Sequence, residues 1–455
     1  MFNTLHQMTT EPAPASGPIT LPIEEWPPLT TKPRPSPRDP FYVPPPGWEN
    51  TLPGNLLRRR QVRIALFGIV PLRLQAWQLL YRTTDLNGAP ETTVTTVLVP
   101  HNVTGPVLAY QCAIDAVTSR SFPSYGLLPG SFGLNQTQNE LLLMVAALAR
   151  GWIVSVSDHE GPQGFWMVDR QPGYHVLDGV RATLRAGGTR GVPPLPEDTP
   201  IGLWGYSGGG TASTWAAEMA PEYAPELNIV GALLGAPAAV PGSLVPHHSR
   251  RFASGLILPV LAAMMRAHHS AHDFLGGHLT ARGRQIIERA ATVSLAESVL
   301  RWPFMNFDKL VDHTVEELMK APEIASITQR MKLGQHTPLA PVYLYHGVHD
   351  QLLPIGGSDY LADQYITRGV NLTYRRDHAS EHISLALTGG GDALGWLAAR
   401  MAGEPLAPQP DVQTVLSLDR TRGSEPAPLA VGHREATTRP SLAIAQRHVF
   451  SDTAT

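Results

Sequence analysis

The sequence is short of cysteine, of charge and of long apolar runs. Cys112 is the one cysteine among 455 residues, which excludes a disulfide within the chain and a multi-cysteine metal site. Charged residues make up 16%, against about 25% in a typical soluble domain. The 35 basic residues are balanced by 38 acidic ones. Because nucleic-acid surfaces normally carry a basic excess, we expect no nucleic-acid partner.

No apolar run is long enough to cross a membrane. The longest, residues 256–265, contains Pro259 and falls well below the roughly 18 residues that a span requires. The first residues have neither the basic start nor the apolar stretch of a signal peptide. From these features we expect no transmembrane segment and a cytoplasmic location for the chain as written.

Proline is in excess, with 43 residues, and many of them lie near the N-terminus. Proline has no backbone N–H to donate, so a segment rich in it holds neither a helix nor an inner strand. We therefore predict a disordered N-terminal arm over residues 1–40. The end of the chain is rich in Pro, Ala, Thr and Arg without periodicity, which predicts a loosely ordered tail over residues 403–455.

Between these tails, short apolar strands alternate with helices, beginning with a hairpin around Asp85-Leu-Asn-Gly. Such alternation is typical of an α/β protein with a mainly parallel sheet and helices on both faces. Residues 238–336 interrupt the alternation with mostly helical segments. We predict a core of residues 41–237 and 337–402, with residues 238–336 inserted as a helical lid.

The strongest motif is Gly205-Tyr206-Ser207-Gly208-Gly209, which follows a predicted strand and opens a predicted helix. A serine on such a sharp turn is a nucleophile elbow, and its neighbours two positions away must be nearly free of side chain. The N–H groups at the start of the helix point toward developing negative charge. Ser207 is therefore the candidate nucleophile of an α/β-hydrolase fold.

A nucleophilic serine needs a base and an acid that orients the base, which in this fold follow in the order acid, then histidine. Asp350 ends a predicted strand and is the favoured acid. His382 opens an apolar helix and is the favoured base, and His378 is its rival. Weaker rivals for the acid are Asp359, Asp363 and Asp377.

The oxyanion of an acyl-transfer intermediate needs two hydrogen-bond donors. One should be the N–H of Gly208, directly after the nucleophile. The other should come from the loop after an earlier strand, and residues 110–115 occupy such a position.

The chain resembles the secretory lipase family, the fungal lipase A type and its actinobacterial relatives. The matching stretches are DPFYVPPPGW, LLYRTTDLNGAPETTVTTVLVP, AYQCAID, GYSGGGTASTWAAE, YHGVHDQLLPI and HISLALTGGGDALGWLAARMAG. The resemblance covers about residues 39–402. It implies a triad of Ser207, Asp350 and His382, and an oxyanion hole formed by Gly208 with Asp115.

The resemblance also implies triacylglycerol lipase or carboxylesterase activity. The expected reaction needs no metal or organic cofactor, and the apolar lid segment favours a lipid-like acyl chain. We therefore expect a small-molecule or lipid ester as substrate and transient contact with a lipid surface. An acyltransferase with the same triad, a peptidase and a catalytically silent lipid-binding protein remain open. Many relatives carry a signal peptide and disulfides, and the absence of both here leaves the compartment open.

Other clusters are interpreted as structural. His268, His269, His272 and Asp273 are spaced like metal ligands on a helix, but a solvated helix face explains them better. The basic run of Arg58, Arg59, Arg60 and Arg63 is interpreted as a solvated strand entry. Cys112 lies outside any elbow and is expected to be a small buried residue.

Overall fold

The computed structural model describes residues 18–131 and 136–419, and an 11-stranded sheet lies at its centre. The strands are β1 (Glu24–Trp26), β2 (Leu56–Val62), β3 (Ala65–Leu66), β4 (Val70–Pro71), β5 (Gln75–Thr84), β6 (Pro90–Val99), β7 (Val107–Gln111), β8 (Ile153–Ser157), β9 (Ile201–Tyr206), β10 (Ile229–Gly235), β11 (Val342–Gly347), β12 (Leu372–Asp377) and β13 (Asp411–Val415).

The order across the large sheet is β1-β2-β5-β6-β8-β7-β9-β10-β11-β12-β13, and β3 and β4 pair separately. Every neighbouring pair from β8 to β13 is parallel, whereas β5 and β6 form the predicted antiparallel hairpin. The carboxyl ends of the parallel strands therefore meet along one edge of the sheet, where ligands of such folds bind.

The helices are α1 (Pro123–Gly126), α2 (Gln136–Leu148), α3 (Gln171–Arg185), α4 (Gly208–Tyr223), α5 (Leu244–His248), α6 (Ile257–Ala267), α7 (His269–His278), α8 (Ala281–Ala290), α9 (Leu295–Arg301), α10 (Val315–Lys320), α11 (Pro322–Arg330), α12 (Gly356–Thr367), α13 (His382–Thr388) and α14 (Gly390–Met401). One apolar core joins α3, α4 and α12 to the sheet, and a second joins α2 and α14 to it. The predicted α/β class, with helices on both faces of a mainly parallel sheet, is confirmed.

No helix of the described ranges is long and apolar enough to cross a membrane.

The segment between β10 and β11 is helical and contains α5 to α11. Its apolar side chains form a third core of their own, which also takes in Val117, Trp166 and Met167 from loops of the main body. This helical insertion therefore packs over the carboxyl edge of the sheet. That it moves as a lid stays a prediction.

Both predicted tails are partly wrong. Residues 24–26 form β1, which pairs in parallel with β2, and residues 411–415 form β13, which pairs in parallel with β12. Neither strand contains a proline, and each lies at an edge of the sheet, where hydrogen bonds are needed on one side only. Residues 1–17 and 420–455 lie outside the described residues.

The basic run is not a solvated strand entry. Arg59 and Arg60 lie in β2 and are buried. The guanidinium of Arg59 stacks on Trp77 and that of Arg60 on Phe41, with 4.3 and 4.2 Å to the ring centroids. The prediction failed because these aromatic partners lie outside the basic run, so the local charge pattern gave no sign that the two arginines would be buried.

The helical segment that begins at His382 consists of two helices, α13 and α14, which meet at Gly389. A Cβ on Gly389 would lie 3.0 Å from the carbonyl oxygen of Leu385, so the close turn between α13 and α14 favours glycine. Helix α4 continues through Pro221 to Tyr223. Pro221 lies in the last turn of α4, so the hydrogen bond that its missing N–H would have made is lost only near the end of the helix.

Candidate active site

Strand β9 turns directly into helix α4 at Ser207, whose backbone has φ 57° and ψ −120°. Such a positive φ is uncommon for a residue other than glycine. A Cβ on Gly205 would lie 2.1 Å from the carbonyl oxygen of Gly209, and a Cβ on Gly209 would lie 2.0 Å from that of Gln111. The glycines of the motif are thus required by close approach of the backbone on both sides of Ser207.

Ser207, His382 and Asp350 form one chain of hydrogen bonds. The Oγ of Ser207 lies 3.0 Å from Nε2 of His382, and Nδ1 of His382 lies 2.5 Å from Oδ2 of Asp350. Asp350 follows β11, and His382 is the first residue of α13. Three loops at the carboxyl edge of the sheet therefore bring together side chains that are up to 175 positions apart.

The carboxylate of Asp350 is buried and fixed from several sides. Its Oδ1 accepts hydrogen bonds from the N–H groups of Leu352 and Leu353, at 2.8 and 2.7 Å. Burial by itself would raise the pKa of Asp350, but hydrogen bonds from His346 and His382 outweigh it and hold the pKa well below its usual range. Asp350 is therefore a charged acceptor held against the imidazole.

The position of His382 is set by its backbone. The hydroxyl of Tyr206 donates to the carbonyl oxygen of His382 at 2.7 Å, and the N–H of His382 donates to Oε1 of Gln351 at 3.2 Å. Glu381 caps the start of α13 by accepting from the N–H of Ser384 at 2.7 Å. The imidazole is thus anchored to the strand that carries Ser207.

The rival residues lie elsewhere. His378 is exposed and its ring packs against His349, with 4.6 Å between centroids. Asp377 accepts hydrogen bonds from the N–H groups of the loop that follows β12. Asp359 pairs with Arg376 at 3.2 Å, and Asp363 is exposed on α12.

Asp115 lies beside the elbow, with φ 49° and its side chain buried. A Cβ on Gly208 would come within 1.9 Å of Oδ1 of Asp115, so the carboxyl group lies directly against this glycine. The N–H of Asp115 donates to Oε1 of Glu160 at 3.1 Å, while its own Oδ1 has no hydrogen-bond partner among the described residues. Burial raises the pKa of Asp115 to about 7, against the opposing effects of His382 and Trp166.

Two buried acids behind this loop were not found from the sequence. Glu160 accepts from the N–H of Asp115, and Glu140 accepts from the N–H of Ala113 and from the hydroxyl of Tyr110, both at 2.8 Å. A glutamate in the apolar pattern of α2 was the available signal for Glu140. The sequence did not indicate that Glu140 accepts from the loop after β7, because α2 and this loop are far apart in the chain.

A cavity of about 420 Å³ opens in front of Ser207, with Asp115, Gly208 and His382 also in its wall. The remaining wall is mainly apolar and is shared between the main body and the helical insertion. It includes Leu143, Trp166, Leu244, Leu256, Leu295 and Leu387. Such a wall accommodates an apolar group and leaves polar contacts to the few residues around Ser207.

Known proteins share this architecture. A family model described as secretory lipase matches residues 130–408. The chain belongs to the secretory lipase family. The predicted resemblance is confirmed.

Among its relatives in this lipase family, "Lipase A" of Arthroderma benhamiae is 38% identical, over 85% of this chain and 85% of its own. "Probable inactive lipase MT1628" of Mycobacterium tuberculosis is 44% identical, over 81% and 83%. Lipase A of Candida antarctica in its closed state has a similar structure, with a TM-score of 0.76 and 26% identity over 84% of this chain and 90% of its own. The lipase family and these structures support an ester-hydrolysing function.

Proposed function

We propose that this secretory lipase is a serine hydrolase that cleaves carboxylic esters, acylglycerols above all, through an acyl-enzyme on Ser207. The observation that carries the proposal is the 3.0 Å separation between Oγ of Ser207 and Nε2 of His382, at the wall of an apolar cavity. This is the separation at which a histidine can take the proton of an attacking hydroxyl.

In the proposed reaction, Ser207 Oγ attacks the ester carbonyl carbon while His382 Nε2 takes its proton. The tetrahedral intermediate collapses as His382 returns the proton to the leaving alcohol. Water then attacks the acyl-enzyme with His382 again as base, which releases the acid and restores Ser207. Asp350 holds the imidazole in the required tautomer and stabilises its charged form.

Two donors would stabilise the oxyanion. One is the backbone N–H of Gly208, at the start of α4. The other is the carboxyl group of Asp115 in its neutral form, because its own backbone N–H is taken by Glu160 and its Oδ1 is unpartnered beside Gly208. The raised pKa keeps much of Asp115 protonated near neutral pH, so its O–H is available to donate.

An exposed aromatic pair on the helical insertion supports contact with a lipid surface. Phe252 and Phe304 are more than half exposed, and their rings lie 6.0 Å apart. The loops that carry them are joined by backbone hydrogen bonds, from Arg250 N to Met305 O and from Phe304 N to Arg251 O.

The same surface is continuous with the cavity. Phe252 begins a short helical turn that ends at Leu256, which lines the cavity. Three exposed arginines lie within three positions of the aromatic pair along the chain, namely Arg250, Arg251 and Arg301. Aromatic and basic side chains together suit an anionic lipid–water boundary, so we propose that this face meets the lipid substrate.

A catalytically silent lipid-binding protein is the second candidate, and the name of the mycobacterial relative favours it. It would use the same cavity but turn over no ester. The hydrogen-bonded Ser207, His382 and Asp350 favour turnover. An acyltransferase would share every step up to the acyl-enzyme and differ only in the final acceptor.

The test is hydrolysis of p-nitrophenyl esters from acetyl to palmitoyl by the parent, by Ser207→Ala and by a control, Ser270→Ala, whose serine is exposed on α7. We expect turnover in the parent and the control and its loss, by about 10⁴-fold or more, in Ser207→Ala. Products formed with an added alcohol then separate hydrolysis from acyl transfer.

Each other outcome has a definite meaning. Turnover that survives in Ser207→Ala would show that another group is the nucleophile. A folded parent that binds a fluorescent fatty acid but cleaves no ester would favour the silent binding protein over the proposed enzyme.

A further inference from the structure

Two histidines share one carboxylate on the outer surface of the helical insertion. Nδ1 of His278 lies 2.9 Å from Oδ1 of Asp312, and Nδ1 of His313 lies 2.8 Å from the same oxygen. Among residues 18–131 and 136–419, this is the only group of three or more metal-ligating side chains whose ligand atoms come within 4.8 Å of one another.

The backbone that carries the three side chains is fixed before any ligand arrives. His278 is the last residue of α7, and its carbonyl oxygen accepts from the N–H of Asp312 at 3.0 Å. Two positions away, Thr280 N donates to Leu310 O at 2.9 Å. On the other side, Thr314 caps α10 in a capping box with Glu317, which fixes the segment directly after His313.

The ligand set is chemically selective. Two imidazole nitrogens and one carboxylate oxygen suit zinc and its neighbours among the first-row divalent metals, whereas Mg²⁺ and Ca²⁺ prefer sites made of oxygen alone. In a tetrahedral zinc site with ligands about 2.0–2.1 Å from the metal, ligand atoms lie about 3.4 Å apart. The two distances to Asp312 need to open by about 0.5 Å, and the ligand nitrogens of His278 and His313, which lie within 4.8 Å of each other, need to reach the same separation of about 3.4 Å.

We propose that His278, Asp312 and His313 form a surface site for a divalent zinc-type cation. Three protein ligands would leave the fourth position to water. The metal would join the end of α7 to the start of α10, and so cross-link two segments of the helical insertion that backbone hydrogen bonds and apolar packing already bring together. This inference is independent of the proposed ester hydrolysis, because none of the three residues lines the cavity at Ser207.

The cluster His268, His269, His272 and Asp273, whose spacing suggested metal ligands, supplies the matched control. The structure does not bring these side chains into a metal-ligating group. His272 is exposed on the same helix as His278, so His272→Ala removes an imidazole of the same kind from the same element.

The experiment is calorimetric titration of Zn²⁺ into the full chain, without an affinity tag, after chelator treatment. We expect one Zn²⁺ per chain in the parent and in His272→Ala. His278→Ala, His313→Ala and Asp312→Asn should each weaken binding by about tenfold or more. Zinc should also raise the Tm of the parent by a few degrees, and should leave the Tm of the three site variants unchanged.

Folding of every variant is checked by circular dichroism, and all three replaced side chains have exposed surface. No saturable Zn²⁺ binding in the folded parent would overturn the proposal. So would stoichiometric binding that persists in both His278→Ala and His313→Ala, since the metal would then be held elsewhere.

Discussion

Ser207 and Asp115 share an uncommon backbone conformation, with φ 57° and 49°. Residues other than glycine rarely adopt it, and where they do the strain is often associated with a functional site. Here the two turns bring a hydroxyl and a carboxyl group close to Gly208. In the proposed function Asp115 acts through its side chain, because its backbone N–H already donates to Glu160.

The proposed role of Asp115 predicts a pH dependence. Its donor form is the neutral acid, which dominates below a pKa of about 7 and is lost as pH rises through that value. We expect kcat/KM of the parent to decline above about pH 7 for this reason. Asp115→Asn carries an amide donor at every pH, so its profile should lose that decline.

Asp115→Ala is the control for this prediction. It removes the donor altogether and should lower kcat by about 10²–10³-fold at all pH values. An alkaline decline that persists unchanged in Asp115→Asn would assign it to a different group.

At the scale of elements, the N-terminal segment is attached to the sheet by β1 and by charged pairs with β2. Arg60 Nη1 lies 2.7 Å from Asp39 Oδ2, and both side chains are under 10% exposed. Arg58 pairs with Glu24 instead, whose side chain is 41% exposed. Both ion pairs link the N-terminal segment to β2, but their acidic partners differ in exposure. A comparison of the two pairs therefore shows how burial changes the contribution of an ion pair to stability.

We therefore predict different costs for breaking the two pairs. Asp39→Asn leaves the charge of Arg60 buried without its partner and should lower the free energy of unfolding by about 3–5 kcal/mol. Glu24→Gln should lower it by about 1 kcal/mol or less, because water replaces the lost partner. Urea denaturation of the two variants measures both values, and equal losses would contradict the argument from burial.

The aromatic pair on the helical insertion gives a second prediction at this scale. Replacing Phe252 and Phe304 by serine should reduce hydrolysis of an emulsified triacylglycerol by about tenfold or more, since each loses apolar area that would enter the lipid. Hydrolysis of soluble p-nitrophenyl acetate should be nearly unchanged, because neither ring lines the cavity at Ser207. Leu339→Ser is the control, because Leu339 is also apolar and more than half exposed but belongs to the loop before β11. A parallel loss on both substrates would indicate damage to the site rather than lost lipid contact.

For the whole molecule, several acids are buried in the main body. Burial raises the pKa of Glu140 to about 8, and those of Asp158 and Glu218 to about 7. In the unfolded chain such groups lose their protons near pH 4. Between about pH 4 and pH 8 these three acids thus bind more protons in the folded chain than in the unfolded chain, and their contribution to stability falls as pH rises. Burial lowers the pKa of His159 and His248 to about 4, so these histidines have the opposite effect below about pH 6.5.

We expect the Tm to fall by several degrees between pH 5 and pH 8. Glu140→Gln keeps a neutral side chain of the same shape at every pH, so part of this fall should disappear in that variant. Thermal unfolding at pH 5, 6, 7 and 8 makes the comparison. A pH dependence of the Tm that is the same in Glu140→Gln and in the parent would show that Glu140 does not retain its proton.

The sequence by itself determined much of this protein. The alternation of strands and helices predicted the α/β sheet, because buried parallel strands need continuous apolar runs. The motif at Ser207 predicted the strand–turn–helix, because that turn tolerates only small neighbours. The helical insertion was likewise visible as a break in the alternation.

Only the tertiary structure decided the remaining points, since each depends on groups far apart in the chain. The strands β1 and β13 have little apolar pattern of their own, and the sheet edges beside them supply the hydrogen bonds. The position of His382 rather than His378 beside Ser207 depends on where α13 begins. The burial of Arg60, the raised pKa of Asp115 and the meeting of His278 with Asp312 all follow from contacts across the fold, and no local spacing encodes them.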